Sequence, residues 1–107
     1  QQNSRLFFVI LLTMRLSKLE IHNLKAQTLQ IDPKAQLSLF GSRTDDSKRG
    51  GDIDILIKSN VIRNQDLSKI RLCFFEKFGE QKLDIVIDDQ QHNQAFIQHI
   101  KNHSISL

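Results

Sequence analysis

Asp52-Ile53-Asp54-Ile55-Leu56-Ile57-Lys58, entered from Gly50-Gly51, carries the strongest strand signal in the chain. It is β-branched and mostly apolar, the pattern of a strand with a buried face. Side chains at i and i+2 of a strand share a face, about 6 to 7 Å apart. Asp52 and Asp54 therefore project to one side, while Ile53 and Ile55 turn into a core. Lys82-Leu83-Asp84-Ile85-Val86-Ile87 is a second run of the same kind, and Gln36–Phe40 alternates polar and apolar as a short strand should. A carboxylate such as Asp84 inside an apolar strand is costly unless it reaches solvent, a cation or a hydrogen-bond partner.

Helical patterns surround these strands. Leu16, Leu19, Ile21, Leu24, Ala26 and Leu29 recur at helical steps up to Asp32-Pro33, where the missing proline amide ends the helix. Gly41-Ser42 breaks the chain after the first strand, and Ser42 is placed to cap a short helical turn over 42–46. Asn64 or Asp66 caps a second long helix with Leu67, Ile70, Leu72, Phe74, Phe75 and Phe78 on its apolar face; Gly79 stops it. Cys73 and the Phe74-Phe75-Phe78 cluster read as core. Asp88-Asp89 ends the third strand, and 91–102 reads as a last amphipathic helix carrying Phe96, Ile97 and Ile100. The expected order is helix, strand, short helix, strand, helix, strand, helix. That is an α/β or α+β domain, a small mixed sheet flanked by helices.

Composition sets limits on function. With 107 residues, 39% hydrophobic and 25% charged, one globular domain is expected rather than a disordered or fibrous chain. One cysteine excludes an internal disulfide, and four scattered histidines show no zinc-ligand spacing, so a cytoplasmic protein is expected. A net charge of +3 permits phosphate-bearing partners without demanding them. The basic residues are dispersed, with no aromatic-basic platform, so direct nucleic-acid binding is not expected. Leu6-Phe7-Phe8-Val9-Ile10-Leu11-Leu12 is apolar, but falls well short of the roughly 18 to 20 residues that span a bilayer. No small-residue cleavage site follows it. Residues 1–13 are therefore read as an extension ahead of Met14, with the domain over 14–107 and no membrane partner.

The acidic residues gain meaning together. Nine Asp in the chain give roughly 0.7 Asp-x-Asp pairs by chance, so the pair alone carries little. If the strand of Asp84 neighbours that of Asp52 and Asp54, three carboxylates converge, and like charges so close repel unless cations neutralise them. Carboxylate oxygens completed by water and substrate phosphates suit Mg²⁺. Two such ions about 3.5 to 4 Å apart stabilise the attacking and leaving oxygens of a phosphoryl-type displacement. Gly41 lets backbone approach a phosphate, a following helix N-terminus favours the anion, and Ser42 adds a hydroxyl. Arg43, Lys48 and Arg49 bring cations to the same loop, while Asp45 and Asp46 put acids there.

Gly41-Ser42-Arg43, then Gly50-Gly51-Asp52-Ile53-Asp54-Ile55-Leu56-Ile57, then Leu83-Asp84-Ile85-Val86 resembles the minimal nucleotidyltransferase domain of the DNA polymerase beta superfamily. Its pattern is Gly-Ser, a spacer of about ten, Asp-x-Asp and a third carboxylate on a later strand; here residues 43–51 form the spacer. The resemblance implies that Asp52, Asp54 and Asp84 are catalytic and hold two Mg²⁺ ions, and that Asp84 deprotonates the acceptor hydroxyl. It also implies that Gly41, Ser42 and Arg43 bind the nucleotide, ATP as substrate. Such minimal domains pair with a helical HEPN-type protein in toxin–antitoxin couples. The implied activity is transfer of AMP to a hydroxyl of that partner, with Phe96, Ile97 and Ile100 as an exposed contact surface. The alternatives are a binding-only antitoxin of the same fold, or an aminoglycoside-type small-molecule nucleotidyltransferase.

Overall fold

A computed structural model describes residues 16–40 and 53–107. Residues 1–15 and 41–52 lie outside the described residues. With them go the extension over 1–13, the short helix over 42–46, and Gly41, Ser42, Arg43 and Asp52.

Helix α1 spans Lys18–Ile31. Ser17 opens it with a capping box: its Oγ accepts the Glu20 N–H at 3.1 Å and its own N–H donates to Glu20 Oε1 at 2.8 Å. The buried face differs from the expected one. Ile21, Asn23, Leu24 and Thr28 are buried, while Leu19 is 68% exposed and Ala26 is also exposed. Thr28 tolerates burial because its hydroxyl donates to the Leu24 carbonyl at 2.7 Å. Asn23 donates to Cys73 Sγ at 3.8 Å, across to the next long helix. Cys73 is half-buried, at the margin of the core.

Strands β1 (Gln36–Phe40), β2 (Ile53–Lys58), β3 (Leu83–Asp88) and β4 (Ile105–Ser106) form one mixed sheet in the order β3-β2-β1-β4. The β1·β2 and β1·β4 pairs are antiparallel; β2·β3 is parallel. Strand β4, only two residues long, has no signature in the sequence. Its antiparallel pairing with β1 makes it parallel to β2 and β3.

A parallel pair needs a crossover. Helix α2 (Asn64–Phe78) supplies it between β2 and β3. Asn64 is its first residue, and Asp66 stabilises the start by accepting the Arg63 N–H at 2.9 Å. Gly79 ends the helix at φ +89°, a conformation that suits glycine, and its N–H donates to the Phe75 carbonyl. Helices α1 and α2 cover one face of the sheet, packing Leu24, Ile70 and Phe74 on Leu37, Leu39, Ile53, Ile55, Ile57, Leu83 and Ile85. Phe74 is fully buried, its ring 4.9 Å from that of Phe78. Leu72, expected on the apolar face, is 60% exposed.

Helix α3 (Gln94–Lys101) covers the opposite face between β3 and β4. Ile97 and Ile100 are buried against Leu56, with Phe40 and Val86 beside them. This corrects the expected contact surface: of its three residues only Phe96 is exposed, because the other two close the second core. The crossovers β2-α2-β3 and β3-α3-β4 run in opposite directions across the sheet with helices on opposite faces, so both have the same hand.

Asp88 is not merely where β3 ends; it anchors α3. Its side chain is fully buried. Oδ1 accepts the Gln90 N–H at 2.9 Å and Gln94 Nε2 at 3.2 Å. Oδ2 pairs with Lys101 Nζ at 3.1 Å. One carboxylate thus holds the turn in which Gln90 takes φ +65° and both ends of α3. Burial pushes its pKa up, but the hydrogen bonds from Gln90, Gln94 and Lys101, with the lysine charge, outweigh that and leave it below the ordinary carboxylate value.

Phe74→Ala is expected to cost about 3 to 5 kcal/mol in denaturant unfolding, and Leu72→Ala less than about 0.5. Lys101→Met leaves the buried Asp88 carboxylate without its counter-charge and is expected to cost about 2 kcal/mol near pH 7. That is less than for a wholly buried pair, because the lysine is 38% exposed. A lowered folded pKa means the Asp88 contribution is full above the unfolded value near 3.9 and fades as pH falls through the folded one. The stability difference between the parent and Asp88→Asn should therefore be flat from about pH 5 to 8 and shrink below about pH 4; a difference that grows on acidification contradicts the assignment.

Candidate functional site

The sheet brings Asp54 and Asp84 side by side. They are register partners in the parallel pair, Asp54↔Asp84, so their backbones lie about 4.8 Å apart and both side chains leave the same face. Neighbours on that face identify it: Leu56 and Val86, two residues along each strand, pack under α3. The two carboxylates sit at the amino ends of their strands, one step beyond that cover. Asp84 is exposed and Asp54 half-buried. The solvent that Asp84 needs inside an apolar strand is therefore available to it.

Bonds around the pair fix the backbone. The Ile53 N–H donates to the Lys82 carbonyl at 3.1 Å, extending the parallel ladder to the start of both strands. Arg71, from α2, donates its Nε to the Leu83 carbonyl at 3.0 Å. That carbonyl directly precedes Asp84, so the edge strand is tied down just where the carboxylate emerges.

Of the site residues expected from sequence, the structure brings together Asp54 and Asp84. Asp52, Gly41, Ser42 and Arg43 lie outside the described residues. Among the described residues, no group of three or more His, Cys, Asp or Glu comes together as a metal ligand set. The donor chemistry of the pair, carboxylate oxygen only, fits a hard cation such as Mg²⁺.

The row does not stop at Asp54. Its partner on the other side is Phe40, Phe40↔Asp54 in β1. Beside Phe40 opens a cavity of about 350 Å³ lined by Phe40, Phe96, His99, Ile100 and His103. Sequence reading missed this cavity, because His99 and His103 gain a neighbour in Phe40 only through the crossover of α3.

A second cavity, about 460 Å³, lies at the carboxyl ends of β2 and β3, where Ser59, Arg63 and His92 meet. Here the polar groups serve the loops. Ser59 Oγ donates to buried Asp32 Oδ2 at 2.6 Å and accepts the Val61 and Ile62 N–H groups at 3.0 Å. The Ser59 bond, with the Lys34 N–H, holds the Asp32 pKa below its ordinary value. His92 Nδ1 lies 2.7 Å from Asp89 Oδ2, while Asp89 Oδ1 accepts the Gln91 and His92 N–H groups. The His92 side chain first, and those amides next, pull Asp89 down to about 2. Among the described residues, no helix is long and apolar enough to cross a membrane.

No family model matches this chain, and no curated protein is similar to it in sequence.

Proposed function

We propose that this chain is a Mg²⁺-dependent nucleotidyltransferase of the minimal, polymerase-beta-like kind, transferring AMP from ATP to a hydroxyl of a helical, HEPN-type partner protein in the cytoplasm. The observation that carries this reading is the in-register adjacency of Asp54 and Asp84 at the amino end of a parallel strand pair. A third acid two residues before Asp54, at Asp52, belongs to the same strand run in the sequence.

In this reading Asp52, Asp54 and Asp84 hold Mg²⁺, which when bound neutralises phosphate charge. Asp84, exposed where Asp54 is half-buried, takes the proton of the acceptor hydroxyl. The acceptor oxygen forms a bond to the α-phosphorus of ATP, the bond to the β-phosphate oxygen breaks, and pyrophosphate leaves. Gly41 and Ser42 bind the phosphates through backbone amides and a hydroxyl, with Arg43 offsetting charge.

The test is incubation of the chain, Mg²⁺ and α-labelled ATP with a HEPN-type partner. Label should pass to the partner with the parent chain. It should fall at least about a hundredfold with Asp54→Ala or Asp84→Ala, variants whose melting temperature is checked beside the parent's. Partner inhibition that persists undiminished in Asp54→Ala, without label transfer, would overturn the enzymatic reading in favour of neutralisation by contact.

A further inference from the structure

Asp84, Asp54 and Phe40 occupy one transverse row across three neighbouring strands. The phenyl ring of Phe40 packs on the α3 side of the sheet, the side from which both carboxylates project. At that end of the row lies the cavity of about 350 Å³ bounded by Phe40, Phe96, His99, Ile100 and His103. Four of its five lining residues carry rings. Phe96 is 54% exposed, a large apolar surface left in an open wall. The imidazoles of His99 and His103 stand 5.2 Å apart at 47°. His103 Nδ1 lies 3.1 Å from the His99 carbonyl oxygen, which only accepts, so Nδ1 carries the proton and Nε2 of the neutral ring remains an acceptor.

From this juxtaposition we infer that the cavity takes the base of the nucleotide whose phosphates lie at Asp54 and Asp84. This rests on the nucleotidyltransferase reading and adds where the substrate's ring goes. The volume falls at the small end of ligand pockets, suited to one flat ring system rather than an extended molecule. Aromatic and imidazole walls bind such a ring by stacking, which tolerates any base because each has a π-face. Nε2 of His103 adds one hydrogen-bond acceptor, a partner for the exocyclic amine of adenine. The carboxylates of Asp54 and Asp84 lie one and two strands from Phe40 along the row, at spacings of about 4.8 Å.

The test follows the imidazole proton signals of His99 and His103 in the full chain by NMR, with adenosine and Mg²⁺-tripolyphosphate as separate probes. Adenosine is expected to shift both histidines saturably, and Phe96→Ala, at an exposed position, to weaken it about tenfold. Tripolyphosphate binding is expected to need Asp54, being lost in Asp54→Asn and unchanged in Phe96→Ala. Tripolyphosphate that binds through Asp54 while adenosine leaves the histidines unmoved overturns the base site and leaves the nucleotidyltransferase reading standing. Adenosine that binds in a Phe96-dependent way without Asp54-dependent tripolyphosphate binding leaves a ring-binding cavity but removes the nucleotidyltransferase reading, and with it the cavity's assignment to the substrate's base. Toluene shifting the histidines as strongly as adenosine, or Phe96→Ala binding adenosine as the parent does, also overturns the base site.

Discussion

The parallel pairing of β2 with β3 is the constraint on which the other elements depend. Parallel neighbours cannot be joined by a tight turn, so α2 must carry the chain back along one face. Parallel strands are also the kind buried on both faces, and these two are apolar on both: Ile53, Ile55 and Ile57 to one side, Leu56 and Val86 to the other. The first side is closed by α1 and α2. The second must be closed by something else, and α3 is the only helix left among the described residues. Its eight residues cannot cover the full length of the strands. Among the described residues no helix covers the amino end, and there the apolar alternation gives way to Asp54 and Asp84.

Asp84 and Asp88 lie four residues apart on one strand and face the same side, yet their surroundings assign them opposite roles. Asp88 is sealed from solvent and surrounded by the Gln90 amide, Gln94 and Lys101. A buried charge survives only with partners of that quality, and here they also fix the position of α3. Asp84 is exposed and lies beside another acid. The same residue type is structural under the helix and available for chemistry beyond it. Helix α3 draws the line between the two.

These distinctions mark how far the sequence could be read. Strands β2 and β3 were legible because β-branched runs bounded by Gly, Asp and Lys have few other readings, and β1 because Gln36–Phe40 alternates polar and apolar. The first helix was legible as a helix but not in its orientation. Burial of Thr28 depends on a bond to its own Leu24 carbonyl, whereas Leu19 stays in solvent despite its apolar side chain. The last helix starts at Gln94 rather than Gln91, since Asp89 and the positive-φ residues Gln90 and Asn93 build a turn first. Two-residue β4 carries too little pattern to be seen. For the site, Asp54 and Asp84 were nameable by their cost inside apolar strands. Their adjacency is a matter of register between segments 30 residues apart, which no local pattern encodes.

The burial of Ile97 and Ile100 changes how an acceptor can approach. With those side chains committed to Leu56, α3 is a fixed wall rather than a free docking helix. Helices α1 and α2, with exposed Leu19 and Leu72, lie on the face opposite the carboxylates, so a partner held there would stand across the sheet from Asp84. Within the row, the Phe40 side of Asp54 opens on the ring-lined cavity. The remaining direction is over β3, the edge strand, where Asp84 is exposed and Arg71 ties down the preceding carbonyl. In the proposed reading an acceptor hydroxyl meets Asp84 from the sheet edge, while the nucleotide extends from Asp54 toward Phe40. On that reading one row of three residues separates the two substrates, and the strand order β3-β2-β1 determines which comes from which side.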